Sequence, residues 1–186
     1  LAAAKKAPVL LADAKAGLGR STMDEIDRAC KDLNRKTVYI VGGVNSVPQS
    51  VVKQLEDKFG AVVVRLAGDT RYDTSLEVAS RLKTDDNSNK KLFVVGGEGA
   101  ADAMSISAVA AKKDNDKKVS PILVVPQNGI KRTAREFIKA KMFDTAYLIG
   151  GETTASTQVF RDLEETVTKN PINDNAISNK VERIAG

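Results

Sequence analysis

The sequence predicts an α/β fold built from tandem repeats, with a mostly parallel sheet flanked by helices. Three observations predict it. Short apolar runs at 8–11, 38–41, 62–66, 92–95, 121–125, 146–149 and 181–184 are continuous or nearly so rather than alternating. That pattern suits strands covered on both faces. Helix-like segments lie between most of them, the order of an α/β chain. Finally, VYIVGGVNSVPQSVVKQLE at 38–56 recurs as AYLIGGETTASTQVFRDLE at 146–164, and an internal repeat points to a repeated structural unit.

Taken in order, PVLL at 8–11 is the first expected strand. A helix follows over 21–33, opened by Ser21 as N-cap, with Met23, Ile26, Cys30 and Leu33 on its apolar face. That position makes Cys30 a small buried apolar residue, and a lone Cys forms no internal disulfide. After the strand VYIV comes a helix over 46–58, with Ser46 as N-cap, Pro48 in the first turn and Gln49 in capping-box position. Further helices are expected at 73–82, 101–113, 130–142 and 154–167. Polar stretches at 83–91, 112–120 and 165–180 read as surface loops, the last being the best candidate for mobility.

The repeat extends beyond the quoted pair. Tyr39, Gly42, Gly43, Val51, Leu55 and Glu56 meet Tyr147, Gly150, Gly151, Val159, Leu163 and Glu164. The helix stripe Val47, Val51, Val52, Leu55, Phe59 matches Ala155, Val159, Phe160, Leu163, Val167. APVLLA at 7–12 matches SPILVV at 120–125, VVRLAG at 63–68 matches VERIAG at 181–186, and LAAAKK at the start resembles the VAAKK run at 109–113. Two units result, a partial first repeat over 1–68 and a nearly complete second over 69–186. The chain opens at Leu1 without a Met and both ends cut through a unit, so it reads as a piece of a longer protein.

His is absent. This excludes a Ser-His-Asp triad, a Cys-His dyad and any His-ligated zinc site. No apolar run approaches a membrane span. A net charge of +5 is a mild preference for anionic partners and does not argue for nucleic acid. Gly97 and Gly99 supply two glycines of a G-x-G-x-x-G pattern, but Asp102 holds the third place, where a phosphate would approach. No phosphate loop of the G-x-x-x-x-G-K-[ST] type exists, and no carboxylate cluster suggests metal chemistry. The Gly pairs read best as tight strand-to-helix turns.

Three polar groups remain. In GDTRYDT at 68–74, Arg71 could pair with an anion and Tyr72 could pack on a sugar ring; equally, Asp73 or Thr74 caps a helix. Asp102 fits a first helical turn, which suits the helix dipole. In IKRTAREFIKAK at 130–141, Lys131, Arg135 and Lys139 share one helix face, with no acidic residue interrupting it although Glu136 lies nearby. The stripe is either a solvated face or a polyanion contact.

The ordered series RLAG-DTRYDTS, VVGGEGAADAMS, PILVV and YLIGG resembles the clostridial cell-wall-binding repeat, type 2. The likeness covers nearly the whole chain. VGGVNS, RYDTSLEVA and VVGGEGAADAMSI resemble most the branch of high-molecular-weight surface-layer subunits. The resemblance implies tandem Toprim-like repeats, three to a protein around a pseudo-threefold axis, without catalysis, cofactor or metal. It implies a secreted protein of the Gram-positive cell wall and S-layer, held by an anionic wall polysaccharide. Its implied partners are that polysaccharide, a low-molecular-weight surface-layer subunit, further repeats and neighbouring copies in the array. The family's apolar anchoring tripeptide matches Val9-Leu10-Leu11 and Ile122-Leu123-Val124, the second with Val where Leu is usual. These residues are expected to be buried and to act by shaping the fold. Arg71, Tyr72 and Thr74 match the family's signature after the RLAG strand, whereas Asp69 departs from it because Thr70 intervenes before Arg71.

Overall fold

The computed structural model describes residues 1–31, 36–82, 91–112, 119–168 and 180–185. The order is α1 (Ala2–Lys5), α2 (Arg20–Cys30), β1 (Thr37–Val41), α3 (Gln49–Phe59), β2 (Val62–Leu66), α4 (Arg71–Ser80), β3 (Lys91–Gly96), α5 (Ala100–Ala111), β4 (Ile122–Val125), α6 (Arg132–Lys141), β5 (Thr145–Ile149), α7 (Thr157–Thr168) and β6 (Lys180–Ile184). Every strand pairing is parallel. Two compact units form, one over Ala4–Val78 with Ala2, the other over Ala79–Gly186 with Leu1 and Ala3.

In the Ala4–Val78 unit, β1 pairs with β2. The stripe on α3 is inward, with Val51, Val52, Leu55 and Phe59 buried beside Leu18, Ile26 and Ile40. Gly60 ends α3 in the left-handed conformation, and its N–H and that of Ala61 reach back to Glu56 and Leu55. Glycine takes that φ with no Cβ penalty. Cys30 is half-buried and packs against this core. A tight turn follows residue 12: the Asp13 carboxylate accepts from the N–H groups of Ala16 and Lys15, which hold it below its usual pKa.

The other unit has the strand order β4-β3-β5-β6. Central β3 is buried along Leu92–Gly96, as its continuous apolar run requires. Phe93, Val95, Ile122, Val124, Tyr147 and Ile149 face α5 through Ala103, Ile106 and Ala110. Residues alternating with these point to the opposite face; α7 packs on β5 and β6, and α6 on α7.

The structure corrects several expectations. Residues 8–11 form no strand, and Val9 and Leu11 are 76% and 86% exposed. Their counterpart β4 is held by pairing with β3; no described strand of the Ala4–Val78 unit stands in β3's place, so PVLL has no ladder to join. α2 begins at Arg20 with Gly19 at its cap, not Ser21. α3 begins at Gln49 with Pro48 at its cap, after a separate turn in which the Ser46 and Val47 N–H groups close on the Gly43 carbonyl. α4 starts at Arg71, α6 at Arg132 and α7 at Thr157. Leu33 and most of the three expected loops lie outside the described residues.

Candidate functional site

The glycine pairs end equivalent strands in equivalent ways. Gly42 and Gly150 have φ of +126° and +105°, which side chains disfavour. Their N–H groups donate to Leu66 and Ile184, each at 2.9 Å. Gly43 and Gly151 carbonyls each accept two turn N–H groups, from Ser46 and Val47 or from Thr154 and Ala155. Each turn is clamped by an arginine of the following strand. Arg65 donates to the Gly42 carbonyl at 2.8 Å, and Arg183 to Gly150 at 3.0 Å, Ala155 at 2.8 Å and Ser156 at 3.2 Å. Sequence reasoning passed over both arginines, although they stand at one place in VVRLAG and VERIAG.

The carboxyl ends of β3 and β5 lie side by side, and the chain leaves β3 and β5 in opposite directions across the sheet. Open α/β sheets take ligands at such a point. Here the chain's own atoms fill it. A Cβ on Gly96 would fall inside the Thr154 carbonyl, and one on Gly150 would meet Asp102 Oδ2 at 2.5 Å and Thr154 Oγ1 at 2.6 Å. Asp102 lies in the first turn of α5. Its carboxylate would repel a phosphate on this crevice. Among the described residues no group of three or more His, Cys, Asp or Glu could hold a metal ion.

At the start of α4, Thr70 and Asp73 form a reciprocal capping box. The Asp73 carboxylate accepts from the Thr70 N–H at 3.2 Å and hydroxyl at 2.5 Å, and Thr70 Oγ1 accepts the Asp73 N–H at 3.4 Å. Thr74 Oγ1 accepts the Gly68 N–H at 3.1 Å, so it holds the turn. Arg71 is exposed and Tyr72 half-buried. Thr70→Ala should destabilise this unit by about 1 kcal/mol in denaturant unfolding; an unchanged midpoint would show the box to be idle.

On α6 the expected uninterrupted stripe is broken. Arg135 turns inward: Nη2 lies 2.6 Å from Asp162 Oδ2, and Nε donates to the Ile130 carbonyl at 3.0 Å. Asp162, with a side chain 4% exposed, also accepts the Ile130 N–H and Gln158 Nε2. The acid comes from α7, which packs on α6, so spacing along α6 could not reveal it. Exposed Arg132 pairs with Glu136 at 3.0 Å. Lys131 is half-buried at the helix cap, and Lys139 is exposed.

The two apolar tripeptides differ. Leu123 is buried on β4, with Ile122 and Val124 half-buried toward α5. Val9, Leu10 and Leu11 are exposed, contrary to the expected burial.

The sequence model of the family described as cell wall binding domain 2 (CWB2) matches residues 1–52 and 65–160. The N-acetylmuramoyl-L-alanine amidase LytC of Bacillus subtilis (strain 168) is 29% identical over 133 residues, covering 72% of this chain and 25% of that protein. The amidase enhancer of the same organism is 29% identical over 130 residues, 70% of this chain and 17% of that protein. Among solved structures, Cwp8 from Clostridium difficile superposes with a TM-score of 0.78 and 36% identity, covering 100% of this chain and 28% of its own. Cwp6 from the same organism gives 0.77 and 26%, covering 100% and 26%. The chain thus spans about a quarter of the length of most of these relatives.

Proposed function

Because the chain belongs to the cell wall binding domain 2 family, a cell-wall-binding role is its premise, and we propose that it acts as a non-catalytic module retained by an anionic wall polysaccharide. The observation that carries binding over nucleotide chemistry is the crevice at β3 and β5, closed by Asp102 and Thr154. The absence of His supports the same reading for the part shared with the amidase, since it removes any His-ligated zinc. Among the described residues no helix is long and apolar enough to cross a membrane.

Retention in this reading comes from many weak contacts summed by avidity. Arg71 and Tyr72 at the start of α4, Lys131 at the cap of α6 and Lys139 on it, and exposed Val9 and Leu11 are the contact candidates. The Ile122–Val124 segment shapes the sheet of the second repeat, while Thr74 and Arg135 hold the local structure. The two repeats, 1–68 and 69–186, contribute to a surface-layer array on a Gram-positive wall, with the low-molecular-weight subunit and neighbouring copies as protein partners.

Binding of the full chain to purified anionic wall polysaccharide should weaken roughly tenfold between about 0.05 and about 0.5 M salt, because exposed charge contacts are screened. Lys139→Glu with Arg71→Glu should weaken it further at low salt. Equal binding at both salt concentrations, or equal binding to a neutral polymer, would sink the polyanion part.

A further inference from the structure

The turn that joins β4 to α6 carries Asn128-Gly129 between two anchored residues. On one side the Gln127 carbonyl accepts the Ser156 N–H at 2.9 Å, and the Gln127 side-chain amide donates to the Thr153 carbonyl at 2.7 Å. On the other side Ile130 is buried, with its N–H on the Asp162 carboxylate at 2.8 Å and its carbonyl accepting Arg135 Nε at 3.0 Å. Asn128 itself is exposed, and among the described residues neither its side chain nor the Gly129 N–H has a hydrogen-bond partner.

The turn needs its glycine. Gly129 has a φ of +154°, and an added Cβ would lie 3.1 Å from Asp162 Oδ2. The corresponding turn of the first repeat uses Gly17, with φ of +75°, but Ala16 precedes it and the Asp13 carbonyl holds the Gly17 N–H at 2.9 Å. Asn45 is the other asparagine among the described residues, and it too is exposed. The N–H that follows it, that of Ser46, is held by the Gly43 carbonyl at 3.0 Å.

We infer that Asn128-Gly129 is a self-modification site, where the chain converts its own side-chain amide to an acid with water as co-reactant. The Gly129 nitrogen loses its proton to solvent and bonds to Asn128 Cγ, with no Cβ on residue 129 to crowd the approach. The Cγ–Nδ2 bond breaks, ammonia leaves and a succinimide ring closes. Water then opens the ring at either carbonyl, and nothing is oxidised or reduced. One opening gives aspartate. The other gives isoaspartate, whose backbone runs through the former side chain and is one carbon longer. That carbon falls between residues fixed at 127 and 130, so Ile130 shifts, and with it an acceptor of Arg135 and a donor to Asp162. Isoaspartate at 128 therefore loosens α6 from α7, and the change accumulates with the age of the molecule.

The test ages the full chain in warm, mildly alkaline buffer made with heavy-oxygen water. Peptide mass spectrometry and isoaspartyl methyltransferase labelling read the products. Asn128 should convert about tenfold or more faster than Asn45, because the Ser46 N–H must first give up a hydrogen bond. One heavy oxygen should enter, and isoaspartate should exceed aspartate. Amide exchange over 132–141 should quicken by about tenfold in the converted chain, while an Asn128→Ala chain aged alongside, which copies Ala16, should not change. Conversion of Asn128 no faster than that of Asn45, or to aspartate alone, overturns the inference. So does equal exchange over 132–141 in fresh and fully converted chains.

Discussion

Gly96→Ala should destabilise the Ala79–Gly186 unit by about 3 kcal/mol or more, whereas Gly151→Ala should change it by no more than about 0.5 kcal/mol. Both glycines sit at the carboxyl ends of neighbouring strands, and the difference is entirely local. A methyl on Gly96 would overlap the Thr154 backbone carbonyl, and a backbone atom moves only if the 150–155 turn moves with it. That turn is pinned by the Gly151 carbonyl and by Arg183. A methyl on Gly151 meets nothing within 4 Å, and this residue is not among those with positive φ. The alanine there even trims the freedom of the unfolded chain. Thermal unfolding followed by circular dichroism decides it: equal midpoints for the two variants would mean that β3 and the turn are not packed as described.

Asp162→Ala comes second, at about 3 kcal/mol. The substitution leaves the Arg135 guanidinium, the Ile130 N–H and the Gln158 amide without their acceptor. Breaking a buried pair costs about 3–5 kcal/mol. The lower end applies because the Arg135 side chain is 33% exposed and recovers some hydration. Asp162→Asn, which keeps an acceptor for Ile130, should cost about half as much. Replacing Asp162 by Leu together with Arg135 by Met should cost less than the two single changes added. Strict additivity in a denaturant double-mutant cycle would show that the pair is not coupled. Since Arg135 supports the fold, loss of wall binding in an Arg135 variant has to be judged against its stability.

The elements most legible in the sequence were those set by local pattern. Six apolar runs became strands, and the LFVV run of β3 is buried along its length, as a parallel strand covered on both faces requires. The inward stripes of α3 and α7 followed from helical periodicity, and Val51, Leu55, Val159 and Leu163 are all buried. The seventh run, PVLL, failed because a strand is made by its neighbour, and pattern alone does not supply one. Ser46 was an apt cap residue by type, but it lies in the turn closed on the Gly43 carbonyl, three residues before the helix starts. Asp162 was missed as a site because an acid on a surface-like helix reads as solvated. A signal was present: with Val159, Leu163 and Thr166 it falls on the inward stripe of α7, where a carboxylate needs a partner. The family's implied contact residues belong to a different category, since surface chemistry carries no periodicity to read.

The arginine clamps have one more consequence. Arg65 stands next to Leu66, and Arg183 next to Ile184, whose carbonyls accept the Gly42 and Gly150 N–H groups. One strand therefore makes two adjacent statements about the same turn, one through its backbone and one through a side chain. A strand laid down one residue out of place keeps a plausible ladder of hydrogen bonds, but its side chains exchange faces. The arginine would then point away from the glycine carbonyl and its charge would be stranded. The pair works as a parity check on strand pairing: in a sheet of interchangeable valines and isoleucines, where a slipped arrangement would otherwise be nearly as good, it marks the wrong alignment as an error.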